Sequence, residues 1–286
     1  MPVSEYLLIS VDKSTSQHAI WNTWWHDVIP KFHADSAILA NTILTLAPEH
    51  GRILEAGCGQ GTWVELLRHY GYDCIGIENN PEALSAAKKF FPKANIVDGD
   101  ITKTHLEPNS VDMYLSWGVF EHFRDGCQPP LAEALRVLKP GGFMLATIPN
   151  NNVWRRLVWP LTALRNCLKA KRSVQKLFGK PPSDSVWYEY LFTKNEFASI
   201  IESAGFKLLY ARPLFVEHGM TGACPFLATG KNVELNQIGK LIRFILGRQA
   251  NNMFAHMNFF LAVKPFSGKE ISGAEELDAA VRSKET

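Results

Sequence analysis

Three glycines at alternate positions, Gly57, Gly59 and Gly61, separate an apolar run that begins at Ile53 from a helical pattern that begins at Trp63. This arrangement predicts a buried strand, a tight turn and the start of a helix. Glycine lacks Cβ, so the turn can adopt positive φ angles and a ligand can contact its backbone. The unpaired N–H groups of the helix start point into the turn. We therefore predict a nucleotide-sized binding surface at the carboxyl end of a strand.

The spacing of the turn distinguishes among nucleotides. The dinucleotide fingerprint G-x-G-x-x-G requires a glycine at position 62, where this chain has Thr62. The nucleoside triphosphate loop requires G-K-S/T, which the turn lacks. The spacing is instead Glu-x-Gly-x-Gly-x-Gly, beginning at Glu55. A nicotinamide-dependent oxidoreductase is therefore a disfavoured alternative.

Acidic residues end the next two predicted strands. A buried strand over 74–78 ends at Glu78, whose carboxylate can accept both hydrogen bonds of a ribose diol. A third strand over 94–97 is followed by Asp98-Gly99-Asp100. Either aspartate could face an adenine, although a turn-forming Asp-Gly pair explains Asp98 without a ligand. Two more strands, over 111–117 and 143–148, complete an alternation of strands and helices that implies a parallel sheet.

In this order the motifs resemble those of the class I S-adenosylmethionine-dependent methyltransferases. They are EAGCGQG (55–61), the strand-end Glu78, DGD (98–100), SWGVFEHF (116–123) and LKPGG (138–142). The resemblance covers 52–149 well and 191–206 more loosely. Within the family, the chain is most similar to small-molecule and lipid-precursor enzymes such as the ubiquinone O-methyltransferases.

The resemblance implies a role for each cofactor-site residue. The glycines of the turn would let the backbone approach the methionine part of S-adenosylmethionine, and Glu55 would stand near its ammonium group. Glu78 would hold the ribose hydroxyls, Asp100 with Ile101 would contact the adenine, and Ser116 and Trp117 would line the sulfonium side. Cys58 and Asn79 are also predicted to bind the cofactor. The turn residues are Gly57, Cys58, Gly59 and Gly61.

The pair Glu121-His122 follows the fourth strand, beside the expected reactive end of the cofactor. Imidazole titrates near neutral pH, so His122 is the predicted general base. Glu121 could orient His122 or bind a metal with it, but two ligands do not make a site and we predict no metal. A structural residue at a helix start is the alternative interpretation of His122. Secondary candidates at the pocket mouth are Tyr188, Glu189, Tyr190 and His218.

The predicted fold is α/β, a Rossmann-like, seven-stranded, mostly parallel sheet with an antiparallel last strand, helices on both faces and helical cap inserts. By the same resemblance, 206–215 and 257–264 form the sixth and seventh strands. We expect an N-terminal helical cap over 1–46, the cofactor-binding core over 47–150 and a basic amphipathic insert over 151–190. The core would resume over 191–266, with a second insert over 217–256, and a polar tail would occupy 267–286. One helical face in the cap carries Trp21, Trp24, Trp25 and Val28.

Composition narrows the class of protein. The net charge of +2 gives no global reason to expect nucleic acid, and a hydrophobic content of 46% suits a globular core. Five cysteines without CxxC spacing favour reduced thiols. We see no signal peptide and no apolar run of spanning length, so we expect a cytoplasmic protein. The Asn/Asp-Pro-Pro-Tyr motif of amino-group DNA methylases is absent after the fifth strand, where Ile148-Pro149-Asn150-Asn151 stands.

Positive charge is concentrated in the first insert. Residues 151–182 hold eight cations and no acid, which leaves 22 cations against 28 acids elsewhere. The second insert repeats the apolar-basic pattern over 238–248. Such segments suit an anionic membrane surface or an acidic substrate, and the alternative is a packed cap with solvated cations. The eight are Arg155, Arg156, Arg165, Lys169, Lys171, Arg172, Lys176 and Lys180.

We therefore predict an S-adenosylmethionine-dependent methyltransferase that acts on a small molecule, with a lipid or lipid-linked acceptor preferred. Peripheral contact with an anionic membrane surface is a further hypothesis. A non-catalytic cofactor-binding partner protein and an RNA or protein methyltransferase are the alternatives. The acceptor atom and the oligomeric state stay open.

Overall fold

The computed structural model describes residues 5–10, 36–157, 185–229 and 234–266. The strands are β1 Glu5–Ser10, β2 Arg52–Ala56, β3 Asp73–Glu78, β4 Asn95–Asp98, β5 Val111–Trp117, β6 Leu138–Pro149, β7 Ser185–Leu191, β8 Lys207–Leu214 and β9 Met257–Val263. The helices are α1 Ser36–Leu46, α2 Thr62–His69, α3 Pro81–Phe90, α4 Gln128–Val137, α5 Lys194–Ser203, α6 Val216–Ala223, α7 Gln237–Leu246 and α8 Arg248–Phe254. Short 3-10 helices cover Phe120–His122 and Pro225–Leu227.

Seven strands form one sheet in the order β4-β3-β2-β5-β6-β9-β8. The strands from β4 to β6 pair in parallel, and β9 pairs antiparallel with both β6 and β8. The predicted fold class, with its antiparallel last strand, is therefore confirmed. From the centre of the sheet, the chain first adds β2, β3 and β4 towards one edge and then adds β5 and β6 towards the other edge. The strand order therefore reverses between β2 and β5. Ligands bind at such a switch point in open α/β sheets.

Two apolar clusters cover the two faces of the sheet. Neighbouring residues on a strand point to opposite faces, so Leu54 belongs to one cluster and Ile53 to the other. Each fully buried side chain of this size contributes about 1.5–3 kcal/mol of burial free energy. The helices that follow the strands pack on these faces, and a Thr193–Glu196 capping box begins α5. The packing fixes the carboxyl ends of the strands, where the site lies.

The beginning of the predicted N-terminal cap and the end of the first insert pair in a second, two-stranded sheet. Strands β1 and β7 pair antiparallel, with Glu5 opposite Leu191 and Ser10 opposite Ser185. Residues 5–10 therefore form a strand where the sequence predicts a helical cap over 1–46. The segment is rich in Tyr, Leu and Ile, which fit a pleated strand as well as a helix. The tryptophan face at 21–28, the polar tail and six of the eight insert cations lie outside the described residues.

The second insert packs as a helical unit on a third apolar cluster, which includes Val216, Met220, Leu235 and Phe254. Helix α7 contributes Ile242 and Leu246 to this cluster. Among the described residues, no helix is long and apolar enough to cross a membrane. Four cysteines lie in the described residues, and all four are free thiols: Cys58, Cys74, Cys127 and Cys224.

Candidate active site

A cavity of about 430 Å³ opens at the carboxyl ends of β2, β3 and β5. The turn after β2, the end of β3, the loop after β4 and the end of β5 all contribute to its wall. Four of the motifs found in the sequence therefore meet at one site. The predicted residues in the wall are Glu55, Gly57, Cys58, Gly59, Glu78, Asn79, Asp100, Ile101, Trp117 and His122.

The glycine turn needs the conformational freedom of glycine. Gly57, Gly59 and Gly61 have φ angles of 72°, 54° and 76°, in the left-handed region that other residues rarely adopt. A Cβ on Gly57 would lie 2.6 Å from Cγ2 of Val119. Gly61 is not part of the cavity wall, and a Cβ there would collide with Ile96. The structure therefore gives Gly61 a packing role at the start of α2.

Glu78 connects the turn to the helix that follows β3. Its Oε2 accepts a hydrogen bond from the Gly59 N–H at 2.8 Å. Its Oε1 accepts from the N–H groups of Asn79 and Asn80 at 3.0 and 2.9 Å. A carboxylate has about four acceptor positions, so capacity remains for a ligand hydroxyl. The carboxylate lies in the cavity wall, where the predicted ribose contact requires it.

Glu55 is a buried carboxyl group in the same wall. Burial raises its pKa well above the ordinary value, a hydrogen bond with the Val64 backbone lowers it, and the charge of Glu78 raises it further. Its Oε2 has no hydrogen-bond partner. A cationic group placed against Glu55 would compensate this buried oxygen, which fits the predicted contact with an ammonium group.

The loop after β4 separates the two aspartates. Asp100 and the buried Ile101 line the cavity, whereas Asp98 does not. Glu133 holds the next part of this loop, because its Oε1 accepts from Thr104 N and Oγ1 at 2.7 and 2.6 Å. Arg136 in turn donates to both oxygens of Glu133. Of the two alternatives, Asp100 is the one in position to face an adenine.

Ser116 and Trp117 end β5 but face opposite ways. Trp117 lines the cavity and packs on Trp63, with ring centroids 5.6 Å apart. Ser116 is fully buried, and its Oγ has no hydrogen-bond partner. Only one of two successive strand residues can face a given side of the sheet. Ser116 is therefore not part of the cavity wall, and its contact with the sulfonium side stays a prediction.

Glu121 and His122 lie on the 3-10 helix that follows β5. His122 is in the cavity wall, and its Nε2 is 3.7 Å from Oε1 of Glu121. Glu121 lies behind the wall, 1% exposed, and burial raises its pKa well above the ordinary value. Glu189 on β7 joins the pair, and one ligand atom from each residue lies within 4.8 Å of the others. Burial raises the pKa of Glu189 to about 7, opposed by the charge of Arg155.

The secondary candidates Tyr190 and His218 are not part of the cavity wall. The Tyr190 hydroxyl donates to the Arg124 carbonyl at 2.7 Å. His218 stacks on His256, with ring centroids 4.4 Å apart. Burial lowers the pKa of His256 to about 3. The side chain of Tyr188 lies outside the described residues.

Sequence reasoning missed several wall residues. Trp63 follows the glycine turn on the first turn of α2, and Asn80 caps α3 by accepting from Ala83 N at 2.9 Å. An Asn-Pro pair before a helical run is a visible capping signal. Five of the other missed residues lie within the motifs EAGCGQG, DGD and SWGVFEHF, where they were given no role of their own: Gln60, Gly99, Gly118, Val119 and Phe123. No comparable signal marks the remaining three, which are Ser36, Thr62 and Ile77.

Comparison with known proteins agrees with this geometry. Residues 54–146 match the family model described as a methyltransferase domain. A probable S-adenosylmethionine-dependent methyltransferase of Mycolicibacterium smegmatis is 33% identical over 98 residues, which cover 34% of this chain and 38% of that protein. The ubiquinone biosynthesis O-methyltransferase of Paracidovorax citrulli is 25% identical over 214 residues, which cover 70% of this chain and 84% of that protein.

A solved structure has the same fold at low identity. The SAM-dependent methyltransferase of Archaeoglobus fulgidus aligns with a TM-score of 0.55 and 15% identity, covering 86% of this chain and 98% of that one. The predicted resemblance to class I methyltransferases is confirmed, and so is the enzyme class of the matched domain. The chain spans little more than a third of the mycobacterial relative's length. The comparisons therefore describe the core and not the acceptor.

Proposed function

We propose that this chain is an S-adenosylmethionine-dependent methyltransferase whose acceptor is a small molecule. Among small molecules, we favour a lipid or a lipid-linked acceptor. The observation that carries the proposal is the single cavity that joins the glycine turn, Glu78, Asp100 and His122. Polar groups that suit an amino acid, a ribose and a base therefore lie in one cavity wall. The names of the relatives, several of them methyltransferases, support the same activity.

The residues present fit the cofactor. Glu55 has an unpartnered buried oxygen for an ammonium group, and Glu78 has acceptor capacity for ribose hydroxyls. Gly57 has positive φ and leaves no room for a side chain, so the backbone itself forms the surface there. Ile101 supplies an apolar wall beside Asp100 for a planar base.

When bound, the sulfonium supplies an already activated methyl group, so the protein mainly has to align the acceptor and exclude water. Trp63 and Trp117 form an aromatic wall at the end of β5 that would exclude water from the reacting atoms. His122 lies in the same cavity wall and would accept the proton that a hydroxyl acceptor loses. Glu121, behind it, would fix the ring.

Helix α7 supports a lipid or lipid-linked acceptor. Four large apolar residues on it are exposed: Ile238 by 59%, Leu241 by 57%, Phe244 by 84% and Ile245 by 71%. The helix also carries Lys240 and Arg243 and no acid. A cap with all its apolar groups packed inside would not expose this stripe. An apolar stripe beside cations is the pattern of helices that lie in an anionic membrane surface.

Calorimetric titration with S-adenosylhomocysteine tests the cofactor site, and transfer of a labelled methyl group into cell extract tests catalysis. Binding with transfer into a lipid-soluble fraction supports the whole proposal. Binding without any transfer favours a non-catalytic cofactor-binding protein. Labelled RNA or labelled protein favours an RNA or protein methyltransferase. Absence of binding contradicts the proposal.

A further inference from the structure

A buried cluster of Glu121, His122 and Glu189 adjoins the cavity and contains none of the residues assigned to the cofactor. One ligand atom from each side chain lies within 4.8 Å of the other two. The Glu121–His122 pair comes from the 3-10 helix after β5. Glu189 comes from β7, more than 60 positions later in the chain, at the end of the first insert. His122 and Gly118 connect the cluster to the cavity wall.

Glu121 is the unusual member of the cluster. It is 1% exposed, and its Oε2 has no hydrogen-bond partner. A buried carboxylate without a partner is costly, and a cation offsets that cost. Arg155 is a positive charge that lowers the pKa of Glu189. Glu121 instead faces His122, 3.7 Å away, which is a cation only when it is protonated. A Cβ on Gly118 would lie 3.3 Å from Glu121 Oε1, so the glycine keeps this side of the carboxylate open.

We propose that Glu121, His122 and Glu189 bind one divalent metal ion at the acceptor end of the cavity, an inference that rests on the proposed methyltransferase function. Two carboxylates and an imidazole are a mixed oxygen and nitrogen set, which suits Zn²⁺ or Mn²⁺ better than Mg²⁺. Ligands about 2.1 Å from one ion lie within about 4.2 Å of each other. A side-chain shift of about 1 Å therefore brings the three groups into place. Three protein ligands leave coordination positions open for an acceptor.

The metal changes the role of His122. A hydroxyl bound to a divalent ion loses its proton near neutral pH, because the ion stabilises the oxyanion. The proton passes to solvent, and the acceptor oxygen forms its new bond to the methyl carbon as the carbon–sulfur bond breaks with its electron pair on sulfur. His122 is then a ligand, and the metal takes over the task of the general base.

Calorimetry of the chelator-treated full-length chain is the test, with MnCl₂ and S-adenosylhomocysteine in separate titrations. We expect one Mn²⁺ per chain. Glu121→Gln and Glu189→Gln should each weaken Mn²⁺ binding at least tenfold while the Kd for S-adenosylhomocysteine stays within about twofold. Glu202→Gln removes an exposed carboxylate on α5 and should change neither.

A spectroscopic readout on the unmodified chain removes the dependence on variants that fold poorly. Pulsed electron paramagnetic resonance of bound Mn²⁺ should show coupling to an imidazole nitrogen, and His122→Asn should abolish it. A chain that binds S-adenosylhomocysteine but neither Mn²⁺ nor Zn²⁺ overturns the metal site and leaves the methyltransferase proposal intact. Mn²⁺ binding without nitrogen coupling also overturns it. Mn²⁺ binding with nitrogen coupling but no S-adenosylhomocysteine binding supports the site and overturns the proposed function.

Discussion

The N–H of Gly59 donates a hydrogen bond of 2.8 Å to Oε2 of Glu78, joining the glycine turn after β2 to the end of the adjacent parallel strand β3. The bond holds the carboxylate against the turn before any ligand arrives. Preorganised polar groups lose less entropy on binding than mobile ones. The nucleotide surface is therefore built from two strand ends together.

Removing the carboxylate at position 78 should weaken cofactor binding. Glu78→Ala deletes an acceptor for three backbone N–H groups and, under the proposed function, for the ribose. Hydrogen bonds to a charged group contribute about 1.5–3 kcal/mol. We expect the Kd for S-adenosylhomocysteine to rise by about 10–100-fold in calorimetry. Glu82→Gln on the neighbouring helix α3 is the control, and an equal loss in that variant would argue against a specific role for Glu78.

A side chain on Gly57 should destabilise the fold at the glycine turn, for a steric reason. Gly57→Ala places a Cβ 2.6 Å from Val119 Cγ2 and forces alanine to a φ of 72°. The left-handed conformation alone costs about 1–2 kcal/mol. Thermal unfolding should show a loss of stability, and Val119→Ala in the same chain should restore part of it. Gly222→Ala meets no atom within 4 Å and should be neutral or slightly stabilising.

His122→Ala should lower turnover by about 10²–10⁴-fold and leave the affinity for S-adenosylhomocysteine nearly unchanged. Both a base and a metal ligand predict this separation of turnover from cofactor binding, and the Mn²⁺ titration distinguishes the two. Single-turnover kinetics measures the first quantity and calorimetry the second. Near-normal turnover would leave His122 with a structural role at the end of the 3-10 helix.

The exposed stripe of α7 should mediate binding to anionic vesicles. Phe244→Ser combined with Ile245→Ser removes the two most exposed apolar side chains of the helix. We expect co-sedimentation with phosphatidylserine vesicles at low salt, weaker binding at high salt and a clear loss in the double variant. Tyr70→Ser, which alters an exposed aromatic residue elsewhere, serves as the control. If both variants bind as the unmodified chain does, α7 is not the contact surface.

The hydrogen-bonded group of Thr104, Glu133 and Arg136, which holds the loop after β4, should make the fold sensitive to acid. Hydrogen bonds from Arg136 lower the pKa of Glu133 from 4.5 to about 2, with Thr104 also contributing. Because the folded-state pKa is depressed, the stabilisation is present above about pH 4.5 and is lost as the pH falls towards 2. The shift corresponds to at most about 3 kcal/mol. Chemical unfolding across this range measures it, and Glu133→Gln should flatten that part of the profile.

Local patterns determined most of the core. A glycine turn, an acidic strand end and a capping box each depend on a few neighbouring residues, so Gly57, Glu78 and Thr193 could be interpreted from the sequence alone. The pattern was ambiguous over 5–10, because a short apolar run fits a strand or a helix equally well until a partner is known. That partner, β7, lies more than 170 positions away along the chain.

The sequence by itself therefore determined the sheet class, the glycine turn and the cofactor side of the cavity, because these follow from local periodicity and from residue chemistry at strand ends. Tertiary structure decided which of several eligible side chains reach the site. It turned Ser116 away from the cavity, favoured Asp100 over Asp98 and brought Glu189 to Glu121. Side-chain direction and contacts between distant segments depend on strand pairing and packing, which no local pattern encodes.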